Sequence, residues 1–246
     1  MGAQLSSLEI TLYGSSRQTY EAVTQVPGSY AKCMAGIEAL LARAIPFRLK
    51  SMVLIANVDE LPGMKEFARK LGVAFRFDAM VNPRSNGDKG PCQWRLSPSE
   101  VVQLDMDDQP RLEALQEFCK EFMAEKQSNH PLYSCGAGLT SFNITPYGNM
   151  QICGMLFQSG PDLRHQPFAQ GWQGLLAGHQ QDSTSDRFRC RKCELAPLCS
   201  QCPGLAMTEH GNPWHGEAGH CVAASGPMAE LFFIEPGPKN SCWPKS

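Results

Sequence analysis

"FRLKSMVLIANVDELPGMKEFARKLGVAFRFDAMV", residues 47–81, alternates in a way that decides the architecture. "FRLKSMVLIAN" (47–57) is a β-forming run and reads as a strand. "DELPGMKEFARKL" follows as a helix ending at Gly72, with Asn57 and Glu60 spaced as a capping pair at its start. "VAFRFDAMV" (73–81) is again a strand. A helix between two strands implies that the strands run parallel.

The same unit extends upstream. "SLEITLYG" (7–14) is rich in β-formers and stops at Gly14, so it reads as a further strand. A helix is expected over roughly 29–44, where Tyr30, Cys33, Met34, Ile37, Leu40, Leu41 and Ala44 form one apolar stripe. Cys33 on that stripe reads as a small core residue. Downstream, "NPRSNGDKGPCQW" is too polar and too rich in Gly and Pro for a core element. "SPSEVVQL" starts a helix, with Ser97 as cap, Pro98 in the first turn and Glu100 closing a capping box. A longer helix is expected over 110–126, with Leu112, Leu115, Phe118, Cys119 and Phe122 facing inward. From His130 the periodicity fades and Gly, Pro, Cys and His increase, which marks a second domain whose folding depends on bound metal more than on a large core.

Bulk composition narrows the function. With 246 residues and a formal net charge of -2, the chain lacks the basic surface of a phosphate-gripping nucleic-acid binder. The longest apolar runs, such as "MVLIA" at 52–56, are far too short for a membrane span. "MGAQLSSLEI" carries no signal-peptide pattern; "MGAQLS" fits a myristoylation pattern formally, but a strand follows almost at once. The expected location is the cytoplasm.

Eleven cysteines in such a chain therefore read as metal ligands before disulfides. The densest run is "CRKCELAPLCSQC", with Cys190, Cys193, Cys199 and Cys202; Cys135 and Cys153 lie upstream and Cys221 downstream. Five residues between two Cys-x2-Cys knuckles are few for a zinc-ribbon hairpin. A compact run that shares its members between two centres has a precedent in bacterial ferredoxins. Seven thiolates exceed what one four-coordinate site can use, so two centres are expected. Soft thiolates suit iron–sulfur clusters or zinc, and spacing leaves both open.

Cys135, the Gly148-x4-Cys153 ending of "CGAGLTSFNITPYGNMQIC", the cysteine run and Cys221 together resemble the SPASM domain. That module carries auxiliary clusters behind the barrel of many radical S-adenosylmethionine (radical SAM) enzymes. The segments "LEITLYGSSRQTYEAVTQVPGSY" and "PFRLKSMVLIANVDELPGMKEFARKLGVAFRFD" are similar to strands four to six of the radical-enzyme partial barrel, so the resemblance covers the chain to about residue 225. It implies an α/β fold: the last three strand–helix units of a partial (β/α) barrel, then a small irregular cysteine-rich iron–sulfur domain. The implied divisions are 1–92 for the half-barrel, 93–129 for a helical linker, 130–225 for the SPASM-like domain and 226–246 for a tail containing Cys242.

By the resemblance, Cys135, Cys153 and Cys202 would hold a first auxiliary [4Fe-4S] cluster with an open or non-cysteine fourth position. Cys190, Cys193, Cys199 and Cys221 would hold a second. The family commonly has three residues between the last two close cysteines; here there are two, Ser200 and Gln201. Thr11 and Lys50 are implied as S-adenosylmethionine contacts, or as ordinary sheet residues. Asp78 could face substrate or pair with Arg76 or Arg84, and Asn57 reads first as a helix cap. His210, His215 and His220 read as loop residues facing solvent, with His220 beside Cys221 as a possible ligand.

The Cys-x3-Cys-x2-Cys motif that holds the radical-generating cluster in that family occurs nowhere in the sequence. The resemblance thus implies a fragment of a longer reading frame, a split enzyme completed by another chain, or a descendant retained for its auxiliary clusters; the first two are expected ahead of the third. The implied substrate is a peptide or protein, with S-adenosylmethionine bound only in the completed enzyme. The competing readings are a zinc-stabilised adaptor module and a non-catalytic partner of a split enzyme.

Overall fold

In the computed structural model the described residues are 7–124, 132–133, 135–156, 160–183 and 202–214. Those up to Val81, together with Pro91–Leu96, form one compact unit; Asn82–Gly90 and those from Ser97 onward form a second.

The first unit contains β1 (Glu9–Thr11), α1 (Arg17–Thr24), α2 (Ser29–Ala42), β2 (Arg48–Met52), α3 (Leu61–Leu71) and β3 (Phe75–Asp78). The strands pair in the order β1-β2-β3, all parallel, as the alternation of elements requires. Leu49 of β2 lies between Ile10 and Phe75, and Lys50 between Thr11 and Arg76. Because side chains alternate along a strand, Ile10, Leu49, Ser51, Phe75 and Phe77 share one face. Glu9, Thr11, Arg48, Lys50, Met52, Arg76 and Asp78 share the other. The core of this unit is Leu12, Tyr20, Ile37, Leu49, Val53, Leu61, Met64, Ala68 and Phe77, all buried.

Two polar residues fix the strand ends. Asn57 is buried, and its side chain does not cap a helix as the sequence suggests. Its Oδ1 accepts the Leu54 N–H at 2.8 Å, and its Nδ2 donates to the carbonyls of Tyr13 and Met52 at 3.0 Å each. A buried amide satisfied on both sides ties the chain leaving β1 to the chain leaving β2. Glu60 likewise does not close a capping box on its own helix. It reaches the start of α1, where Oε2 accepts the backbone N–H groups of Ser15 and Ser16 at 2.7 and 2.9 Å. Its Oε1 accepts the hydroxyls of Ser16 and Thr19, each at 2.6 Å. The free N–H groups at a helix start attract a carboxylate, and tertiary geometry offers Glu60 this better partner. The fit is tight: a Cβ on Gly63 would lie 2.7 Å from Ser15 Oγ.

The apolar stripe of α2 is less buried than its pattern suggests. Ile37 alone is fully buried, Leu41 is exposed, and Ala44 lies past the helix end with a φ of 52°. Cys33 is half-buried beside Tyr20, so it is a flanking residue rather than a core one. Burial and that contact push the Tyr20 hydroxyl pKa upward.

The second unit holds α4 (Pro98–Met106), α5 (Gln109–Ala124), β4 (Asn143–Ile144), β5 (Met150–Gln151), α6 (Phe168–Ser183) and α7 (Pro203–His210). The capping box at Ser97 and Glu100 is present as expected. On α5, Leu112 and Leu115 are half-buried, but Phe118 is 44% exposed, so the helical period is right and the inward face is not. The side chains of Cys119 and Phe122 lie outside the described residues.

β4 and β5 form an antiparallel hairpin, with Ile144 opposite Met150. Gly148 takes the left-handed φ of 83° in its turn, which explains a glycine five positions before Cys153. Behind the hairpin the chain returns so closely that a Cβ on Gly160 would sit on the Met150 carbonyl. Among the described residues no helix is long and apolar enough to cross a membrane.

Candidate metal centre

The hairpin delivers Cys153. It leaves β5 into a turn in which the Leu156 N–H bonds the Cys153 carbonyl at 3.2 Å. The backbone amides of Met155 and Leu156 lie close enough to the Cys153 sulfur to favour its thiolate. Burial pushes the Cys153 thiol pKa upward, the two N–H groups oppose this, and Cys202 and Cys135 add to the rise. The last two contributions put the Cys135 and Cys202 sulfurs within electrostatic reach of Cys153, although the three come from segments far apart in sequence.

Each of the other two sulfurs has its own support. Cys135 is exposed in a turn after Tyr133, followed by Gly136 at a φ of 77°. Cys202 is half-buried and occupies the N-cap position of α7. Its side chain makes no capping hydrogen bond, and the positive end of the helix dipole favours an anionic group there. Cys153 packs against an apolar cluster of Leu132, Tyr133, Ala137 and Leu156, as do Ile152, Met207 and Trp214.

The five cysteines with described side chains, Cys33, Cys92, Cys135, Cys153 and Cys202, are free thiols. Among the described residues no three of His, Cys, Asp and Glu converge as ligands of one metal ion would. An iron–sulfur cube spaces its thiolates more widely than a single ion does. Three soft donors beside an apolar cluster suit such a group by their chemistry. Cys190, Cys193, Cys199 and Cys221 lie outside the described residues, as do His215, His220 and Cys242. His210 ends α7 with its Nε2 at 3.8 Å from the Glu209 carboxylate.

The sheet residues singled out from sequence occupy the polar face of the first unit. Thr11 and Lys50 are register partners, and Lys50 Nζ lies 3.2 Å from Glu9 Oε2. Arg48 and Arg76 reach the same carboxylate at 2.7 and 2.8 Å. The Arg76 guanidinium first, then Lys50 and Arg48, overcome partial burial and hold Glu9 near a pKa of about 2. Sequence reading missed this residue. Its signal was a lone acid on a strand whose neighbours carry three cations at matching positions. Asp78 is exposed and accepts the Met80 N–H at 2.8 Å, while Arg76 goes to Glu9 and Arg84 to Asp88.

The described residues form an α/β protein whose second compact unit contributes Cys135, Cys153 and Cys202. No family model matches the chain, and no solved structure matches it. Among curated proteins it is similar to the AdoMet-dependent heme synthase of Methanosarcina barkeri (strain Fusaro / DSM 804), at 21% identity over 243 residues. That alignment covers 91% of this chain and 69% of the relative. By its name that relative depends on S-adenosylmethionine and makes haem.

Proposed function

We propose that this chain is the auxiliary-cluster part of a radical SAM/SPASM enzyme acting on a peptide or protein substrate. The observation that carries the reading is that Cys153, packed against an apolar cluster, lies within electrostatic reach of Cys135 and Cys202. These three would hold one [4Fe-4S] cluster, and Cys190, Cys193, Cys199 and Cys221 a second. When bound, such clusters supply one-electron chemistry or an open iron site for a substrate group. The protein's own contribution is to keep water from the Cys153 side through Leu132, Tyr133 and Leu156.

The first unit supports the same reading. A parallel sheet is ordinarily covered on both faces. Here one face carries Glu9, Thr11, Arg48, Lys50, Arg76 and Asp78, with the Arg48 and Arg76 side chains 50% and 52% exposed. A wet polar face suits the inner wall of a barrel that holds a polar cofactor, with Thr11 and Lys50 facing S-adenosylmethionine and Asp78 near the substrate. Residues outside this sequence would supply the cluster that cleaves S-adenosylmethionine. A second substrate reading, a haem precursor, is favoured by the name of the Methanosarcina relative.

Anaerobic purification and reconstitution test the reading. Brown protein with iron and sulfide for two cubes is expected; colourless protein that holds only zinc would overturn it in favour of an adaptor module. Mixing with a chain bearing the Cys-x3-Cys-x2-Cys half should yield 5′-deoxyadenosine. Running that mixture with a cysteine-bearing peptide and with a haem precursor then separates the two substrate readings, since only the true substrate raises turnover.

A further inference from the structure

The hairpin that delivers Cys153 also presents a surface that no thiol uses. Residues 131–161 contain no Asp, Glu, Lys or Arg, and α6 adds none before Asp182. Across these segments Leu139, Phe142, Ile144, Tyr147 and Phe168 are all exposed, Phe142, Ile144 and Phe168 by 43%, 46% and 48%. Three rings gather there. Phe142 meets Phe168 and Trp172 edge-on, with centroids 5.2 and 5.5 Å apart, and Phe168 and Trp172 stand nearly parallel at 6.4 Å. The packing of α6 on the hairpin brings them together. A Cβ on Gly171 would lie 3.8 Å from the sulfur of buried Met150, the residue opposite Ile144. Cross-strand partners share a face, and Phe142 is two residues from Ile144, so both line the α6 side of β4.

Beside the rings runs an open strand edge. The Thr145 N–H bonds the Asn149 carbonyl at 2.9 Å, so antiparallel alternation makes Ile144 and Met150 the pair whose backbone groups point away from each other. Met150 uses its outward N–H on the Pro161 carbonyl at 2.8 Å. Among the described residues nothing bonds the outward groups of Ile144. Sheet edges are commonly blunted by charged side chains, and this one carries none.

An uncharged aromatic surface beside unpaired backbone groups matches an extended peptide, whose backbone continues the sheet while its side chains cover the apolar face. We propose that the β4 edge, with Phe142, Phe168 and Trp172, docks an extended peptide segment bearing apolar or aromatic side chains. The choice of occupant rests on the peptide-substrate reading above. A Cβ on Gly154 would lie 3.9 Å from the Asn143 side chain, so a peptide held along β4 runs past the segment that carries Cys153.

The test is a calorimetric titration of the anaerobically reconstituted full chain with a capped peptide carrying phenylalanines in a Gly/Ser/Thr background, and with its analogue carrying lysines instead. Binding of the phenylalanine peptide alone is expected. Phe168→Ala should weaken it roughly tenfold, the loss typical of truncating an interface aromatic. Ile144→Pro is the sharper variant. It removes an N–H that points away from β5, so the hairpin keeps its own bonds while the peptide loses a backbone partner; Ile144→Val should bind as the parent does. Equal affinity for the two peptides, or binding unmoved by both Phe168→Ala and Ile144→Pro, overturns the proposal. So does self-association that depends on Phe168 in place of peptide binding, or a porphyrin that takes the site while the peptide does not bind. Should Ile144→Pro fail to fold, Phe168→Ala alone decides in the same sense. A haem precursor that alone raises turnover overturns the peptide-substrate reading, whereas a silent titration overturns this site, so the two failures are told apart.

Discussion

The two compact units of this chain are held together by different physics. In the first, a parallel sheet and α3 bury Leu49, Val53 and Met64 completely, and even its polar ties, Asn57 and Glu60, join elements of the core. In the second, strands two residues long and close backbone approaches at Gly160 and Gly204 surround a small apolar cluster and three thiols. Four helices stand in this unit, but the segments around Cys135 and Cys153 hold only two-residue strands, and a bound group that cross-linked them to Cys202 would add stability. The first unit should thus be stable without metal, and the second should depend on it.

Substitutions can break that contrast, beginning with the largest effect. Cys153→Ala should remove the first cluster, lower iron and sulfide together, and abolish cooperative melting of the second unit; elemental analysis and calorimetry measure both. Leu49→Ala should cost about 2–5 kcal/mol in the first unit by leaving a cavity, with iron content unchanged. Equal loss of iron in both variants would erase the distinction between the units.

Glu60→Gln should cost about 1–2 kcal/mol, the range of helix-start contacts, and should lower the denaturation midpoint of the first unit alone. Its pH dependence follows from opposing causes. Burial raises the Glu60 pKa, but bonds from Ser16, Thr19 and the Ser15 and Ser16 backbone outweigh it and bring it from 4.5 to about 2. The depressed value means that the stabilisation is fully present above the unfolded pKa and is lost as pH falls from about 4.5 towards 2. Acid titration of the Gln variant should lack that component. Ser97→Ala, which removes the capping box on α4, should cost only about 1 kcal/mol.

The contrast also explains what could be read from the sequence. The strands and the helices α2 and α3 of the first unit follow from local pattern, because a repeating apolar spacing and Gly72 act over a few residues. The partners of Asn57 and Glu60 were not legible. Both side chains satisfy backbone groups more than forty residues away in sequence, which no local capping rule contains. α1 was missed, since its start is completed by Glu60 from another helix. In the second unit α6, α7 and the hairpin carry no strong periodicity, so their sequence announces only ligands and glycines. The grouping of Cys135, Cys153 and Cys202 as ligands rests on the family resemblance, because spacing along the chain does not say which thiols meet.

The most direct test of the account compares iron and acid-labile sulfide in anaerobically reconstituted parent protein with a variant in which Cys135, Cys153 and Cys202 are all alanine. Two cubes in the parent and one in the triple variant are expected. An equal iron count in the two proteins would show that these three sulfurs do not share a cluster.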